Sequence, residues 1–173
     1  VTVLALDPSS SCLGYALLRS ADVLLDAGRI TPTKARATPA HRIPTIGQEL
    51  AKLLAEAKPT EVVIEITSGK VARRAGARGH NGAGLSVYGM AVGYLWRECV
   101  AALGESVSTV EENVWTAGVP KDRRARYIAT VFPAYRTARD PGGDVADAIG
   151  LGRWYLQRLG SPAGSAAVRK ETL

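Results

Sequence analysis

Residues Val1 to Asp7 form a nearly continuous apolar run that ends on an acid. A run this short, with no alternation, reads as a buried central strand. Pro8 to Ser11 carry turn chemistry. Two more short apolar runs follow, Gly14 to Leu18 and Val23 to Ile30, split by Ser20, Ala21 and Asp22, so the opening of the chain predicts a three-stranded meander. Thr31 to Ala40 is basic, contains proline and is expected to be a loop. Ile43, Ile46, Leu50, Leu53 and Leu54 then recur at helical spacing, which predicts a helix from about Ala40 to Ala57 with Pro59 just past its end. Pro44 lies in the first turns and is an alternative start.

Glu61 to Ile66 is the next predicted strand, and it too ends beside an acid, Glu65. Thr67 to Gly84 is rich in glycine and basic residues, lacks a hydrophobic period and is expected to be a loop. Leu85 to Leu103 predicts a long helix whose apolar face holds Tyr88, Ala91, Val92, Leu95, Cys99 and Leu103. A short strand is expected over Ser106 to Val110, a helix from Lys121 to about Val131, and a last helix from Asp144 to Leu159 behind Gly142 and Gly143. The small, polar segment from Gly160 onward is expected to be a disordered tail. Three strands, helix, strand, helix, strand, helix, helix is the order of an α/β domain, a mixed sheet with helices on both faces. Neither an internal repeat nor a dividing linker is visible, so residues 1–159 are expected to form one domain.

The length of 173 residues suffices for a real core, and 46% hydrophobic with 22% charged residues is ordinary for a globular chain. No apolar run approaches the roughly 20 residues of a membrane helix. The first apolar run is too short for a signal peptide and ends in an acid. Cys12 and Cys99 stand in no metal-ligand spacing and read as small buried residues of a reducing, cytoplasmic compartment, with a single bridge between them as the alternative. The net charge of +6 is modest, but its distribution is informative. Ile66 to Arg97 contains no acid yet holds Lys70, Arg73, Arg74, Arg78 and Arg97; a second basic cluster holds Lys121, Arg123, Arg124, Arg126, Arg136 and Arg139. Clustered positive charge suits a polyanionic partner, and otherwise forms a solvated face.

Four acids stand out against this background. Asp7 closes an apolar strand, where a carboxylate is costly unless paired or bound to a cation; the local alternative is a turn-opening Asp before Pro8. Glu65 ends near Asp7 if the two strands lie side by side and parallel, and then each carboxylate raises the other's pKa unless a cation lies between them. Asp144 and Asp147 are three residues apart and share a helix face, although Asp144 could be simply an N-cap and both acids could complement the helix dipole. No Lys or Arg lies between Gly143 and Gly152 to neutralise this pair. Hard oxygen ligands of this kind suit Mg²⁺ or Mn²⁺.

The segment from Leu4 to Tyr15, Leu-Ala-Leu-Asp-Pro-Ser-Ser-Ser-Cys-Leu-Gly-Tyr, resembles the opening motif of RuvC-type Holliday junction resolvases. Val63-Ile64-Glu65 resembles their second motif, and Asp144-Val145-Ala146-Asp147-Ala148-Ile149-Gly150-Leu151 resembles their closing acidic helix. The resemblance spans roughly residues 1–159. It implies an RNase H-like fold with a five-stranded mixed sheet, a homodimer, and Mg²⁺- or Mn²⁺-dependent paired incision of a four-way DNA junction, with two ions per site. It implies Asp7, Glu65, Asp144 and Asp147 as metal ligands and Lys121 as a basic group near the scissile phosphate. Two departures accompany it. Ser68 stands where the family often carries a junction-probing aromatic residue, and the basic residue the family places after the fifth strand is hard to place among Glu111, Glu112 and Asn113.

Lys70, Arg73, Arg74 and Arg78, with Lys121, Arg123 and Arg124, are the expected DNA contacts, since Arg grips phosphate with two bonds. Gly89 and Gly93 on the long helix suit either close packing on the sheet or a two-fold helix seam. Trp96, Trp115 and Trp154 are expected in the core or an interface, with base stacking as a further option for Trp115. The runner-up function is a broader nuclease for flaps, forks or RNA–DNA hybrids on the same scaffold. A sugar-kinase-like phosphotransferase, whose opening motif is similar, would need a second phosphate-binding loop that this chain does not show.

Overall fold

Leu4, Ala5, Leu6, Val62, Val63 and Ile64 have no solvent exposure, and they come from two neighbouring strands at the centre of a five-stranded sheet. The structure is a computed structural model that describes residues 1–32, 38–67 and 82–160. Its elements are β1 (Val3–Pro8), β2 (Leu13–Ser20), β3 (Val23–Ile30), α1 (Pro39–Ala57), β4 (Glu61–Ile66), α2 (Gly82–Leu103), β5 (Val107–Glu111), α3 (Glu112–Thr116), α4 (Lys121–Val131), a 3-10 turn (Thr137–Arg139) and α5 (Asp144–Leu159). The sheet order is β3-β2-β1-β4-β5. β1 pairs antiparallel with β2 and parallel with β4; β2–β3 is antiparallel and β4–β5 parallel. This is the mixed α/β sheet that the apolar pattern predicts.

Alternation along each strand assigns its side chains to one face or the other. Leu4 and Leu6 of β1, Leu13 and Leu17 of β2, and Val62 and Ile64 of β4 pack with Ile46 and Leu50 of α1 and Leu95 and Cys99 of α2. On the opposite face, Val3, Ala5 and Val63 meet Leu151 and Tyr155 of α5, while Ala16 and Leu18 meet Ala146 and Ile149. Both faces are therefore covered, which is why β1 and β4 carry no polar alternation. The same parity decides the chemistry: Asp7, Glu65 and Gly14 all fall on the α5 face.

The elements depart from the sequence expectation at their edges. α1 begins at Pro39 and passes through Pro44. α2 begins at Gly82, ahead of Leu85, and α3 is an additional helix of five residues, too short to leave a hydrophobic period. Cys12 and Cys99 are both buried and free, so the alternative of a bridge between them is not realised. Gly89 and Gly93 do not pack on the sheet; a Cβ at either would meet nothing within 4 Å. Most of the expected loop Thr67–Gly84 and of the expected tail lies outside the described residues. Among the described residues, no helix is long and apolar enough to cross a membrane.

Candidate active site

Leu6 pairs with Ile64 across the parallel β1–β4 seam, so the next residues along, Asp7 and Glu65, leave adjacent strands side by side. Neighbouring strands lie about 4.8 Å apart, which brings the two carboxylates into one neighbourhood. Asp7 is only 8% exposed. Burial first, and then the charge of Glu65, push its carboxyl well above the usual carboxylate range.

The third and fourth acids arrive on the N-terminus of α5, and a glycine on β2 admits them. Gly14 sits opposite Asp7 in the β1–β2 register. A Cβ on Gly14 would lie 2.4 Å from the main-chain oxygen of Asp144, so only glycine lets the first turn of α5 come this close. Gly143 supplies the helix entry with a positive φ of 71°. Asp144 does not cap its own helix. Its Oδ1 accepts the Lys121 ammonium at 2.9 Å and its Oδ2 accepts the Cys12 thiol at 3.2 Å. Burial alone would raise its pKa, but these two hydrogen bonds and the Lys121 charge outweigh burial and lower it. The capping is done by Asp140, whose Oδ2 accepts the Ala146 amide at 3.0 Å and the Tyr135 hydroxyl at 2.8 Å.

Asp147 is 2% exposed and is met by two cations from α4. The Arg124 guanidinium donates to both of its oxygens, Nε to Oδ1 at 2.7 Å and Nη2 to Oδ2 at 2.8 Å. The Lys121 ammonium lies 3.2 Å from Asp147 and 3.8 Å from Asp7, so a single cation touches three carboxylates. Burial would lower the Lys121 pKa, yet the surrounding acids hold it above its ordinary value. Glu65 is held differently. Burial raises its pKa to about 7 against the stabilising indole N–H of Trp115, which donates to Oε2 at 2.7 Å. Arg124 stacks on the same indole, 5.2 Å from the ring centroid. Glu65, Lys121, Arg124 and Asp147 line an open cleft of about 430 Å³ that also includes Glu112, Thr116 and Pro120.

The chemistry of the donor set fits hard divalent cations: Asp7, Asp144 and Asp147 surround the Lys121 ammonium at 2.9 to 3.8 Å, and Glu65 stands on the strand beside Asp7. Among the described residues, no three His, Cys, Asp or Glu groups are set as a ready-made cage for one ion. Both oxygens of Asp147 face Arg124, and Lys121 fills the space between Asp7 and Asp144.

No protein-family model and no curated protein matches the chain. Solved structures do. Thermus thermophilus RuvC in complex with a Holliday junction substrate aligns with a TM-score of 0.69 at 16% identity, covering 99% of this chain and 98% of that one. A second Thermus thermophilus RuvC structure aligns at 0.64 and 17%, again over 99% and 98%. The Fowlpox virus resolvase in complex with Holliday junction DNA aligns at 0.53 and 12%, over 93% of this chain and all of that one. The chain has the RuvC fold.

Within this RuvC fold, Asp7, Glu65, Asp144, Asp147 and Lys121 come together in one cluster. Arg124, expected as a DNA contact, lies inside that cluster, paired with Asp147. Arg123 is exposed on α4. Lys70, Arg73, Arg74 and Arg78 lie outside the described residues. Trp115 is buried, Trp154 stacks on Arg158 and Trp96 is 45% exposed. Three supporting residues escape the sequence reading: Trp115 as the donor to Glu65, Cys12 as the donor to Asp144, and Asp140 as the cap of α5. Only Trp115 carried a usable signal, since a buried indole N–H needs an acceptor.

Proposed function

We propose that this chain is a structure-selective DNA endonuclease that resolves four-way junctions by two-metal-ion phosphodiester hydrolysis. The observation that carries the reading is the meeting of Asp7, Glu65, Asp144 and Asp147, from three separate elements, beside Lys121 and Arg124 at the lip of an open cleft. Asp7 and Glu65 stand on rigid central strands, and Asp144 and Asp147 on the first turn of a packed helix, so their oxygens are preorganised. In this reading Asp7, Glu65, Asp144 and Asp147 would hold the ions. Divalent ions held there would supply an activated water and stabilise the leaving 3′ oxygen. Lys121 is half-exposed at the same point and is positioned to receive a phosphate oxygen. The basic residues Lys70, Arg73, Arg74, Arg78 and Arg123 would extend the contact along the DNA backbone.

Likeness to resolvases described with junction DNA supports branched DNA as the partner. A homodimer through α2 completes the proposal: Met90 and Trp96 are exposed on that helix, and the open space at Gly89 and Gly93 permits close approach of a second backbone. The test is a labelled four-way junction incubated with Mg²⁺, with Mn²⁺ and with chelator. Asp7→Asn is expected to abolish cleavage while junction binding persists or tightens; normal cutting by that variant would remove the assignment. Initial rates on a flap, a hybrid and a junction separate junction resolution from the broader nuclease.

A further inference from the structure

We infer that Arg124 is a positioning residue that keeps Asp147 out of the metal site until DNA phosphate draws its guanidinium away, so that metal loading is coupled to substrate binding. The inference rests on the metal-dependent reading above and extends it to the order in which the site assembles.

Arg124 is bound on three sides. Nε and Nη2 take both oxygens of Asp147, Nη1 donates to the main-chain oxygen of Val119 at 2.6 Å, and the guanidinium plane lies over Trp115. Its side chain is 11% exposed, so this is a buried bidentate pair and not a loose surface contact. Arg124 occupies one lone pair on each Asp147 oxygen and Lys121 lies 3.2 Å from Oδ2, so a divalent ion approaching the remaining lone pairs meets two fixed positive charges, of which Arg124 is the one held by two bonds.

The guanidinium nevertheless borders open space. Arg124, Lys121, Asp147 and Glu65 all line the cleft of about 430 Å³. A phosphodiester entering it offers Arg124 a second bidentate acceptor of the same charge type. Exchange of Asp147 for phosphate leaves the guanidinium fully bonded and leaves Lys121 as the one cation still beside the carboxylate among the described residues. Arg124 also shares Trp115 with Glu65, so its departure removes a positive charge from beside both Asp147 and Glu65.

The experiment is a Mn²⁺ titration of metal-free protein, read by the loss of the free-ion paramagnetic resonance signal, with and without a saturating linear duplex that offers phosphates but no junction. Wild type is compared with Arg124→Gln, Arg124→Lys and Arg126→Gln. Arg126 is on the same helix and, among the described residues, pairs with Asp122 at the surface, so its variant controls for net charge. Arg124→Gln is expected to bind Mn²⁺ about tenfold more tightly than wild type without DNA, the size of one lost charge-assisted bond. The duplex should tighten Mn²⁺ binding by wild type much more than by Arg124→Gln. Arg124→Lys should fall between, and Arg126→Gln should match wild type. Arg124→Lys preserves charge and helix, so it carries the test even if Arg124→Gln unfolds on thermal melting. Mn²⁺ binding by wild type that both Arg124 variants leave unchanged or weaken would overturn the coupling alone. Failure of every protein to take up Mn²⁺, with or without DNA, would overturn the coupling and the metal-dependent nuclease together.

Discussion

Gly14→Ala tests whether close approach of α5 to β2 is what assembles the site. The added Cβ would lie 2.4 Å from the main-chain oxygen of Asp144, 2.6 Å from its carbonyl carbon and 3.1 Å from its Cβ. Favourable contact begins near 3.5 Å, so a gap of about 1 Å must open between strand and helix. Neither side yields easily, because the obstructing atoms are backbone and α5 is anchored by Ala146, Ile149 and Leu151 on the sheet. Overpacking of this kind costs about 1–3 kcal/mol. The displaced turn carries Asp144 and Asp147, and a 1 Å misplacement of reacting groups can cost about a hundredfold in rate. Urea unfolding and cleavage of a labelled junction in Mg²⁺ read the two effects separately. Gly84→Ala, where a Cβ meets nothing within 4 Å, is the comparison and should lose neither stability nor rate. If Gly14→Ala has wild-type stability and cuts within twofold of wild type, the close approach is not what builds the site.

The other expectations concern the groups around the carboxylates. Trp115→Phe keeps the ring but deletes the 2.7 Å bond to Glu65, moving the Glu65 pKa above its value of about 7; the Mg²⁺ concentration for half-maximal cleavage should rise about tenfold or more at pH 7 and converge on wild type at pH 9, and an equal penalty at both would contradict the role. The raised pKa values of Asp7 and Glu65 mean that the metal-free fold prefers them protonated, so its stability should fall as pH rises from about 4.5 to 7, by an amount of order 3 kcal/mol for Glu65. Asp144 shifts the opposite way, but its contribution is lost only below the ordinary carboxylate range, outside this window. Mg²⁺ should therefore raise the melting temperature little at pH 5 and clearly at pH 8, and a shift independent of pH would count against carboxylate ligation. Asp140→Ala leaves the Ala146 amide and the Tyr135 hydroxyl without their acceptor and should cost about 1–2 kcal/mol in urea unfolding.

Much of this molecule is legible in the order of its residues. The unbroken apolar runs ending at Asp7 and Glu65 announce two central strands, because only a strand covered on both faces dispenses with polar alternation. The spacing of Asp144 and Asp147 puts both on one face of a helix wherever that helix packs. Period 2 and period 3.6 are properties of a few consecutive residues, so they survive without knowledge of the rest of the chain.

What surrounds the acids was settled only by packing. No Lys or Arg lies between Gly143 and Gly152, yet Asp144 is met by Lys121 and Asp147 by Lys121 and Arg124, brought from α4 by its docking beside α5. Trp115 reaches Glu65 from across the sheet edge, and Cys12, which reads as a small apolar residue, turns its thiol to Asp144. Gly14 looks like any strand glycine until the main chain of Asp144 is found against it. Such contacts join segments far apart in the chain, and their distances depend on how helices seat on a sheet, which no local period records.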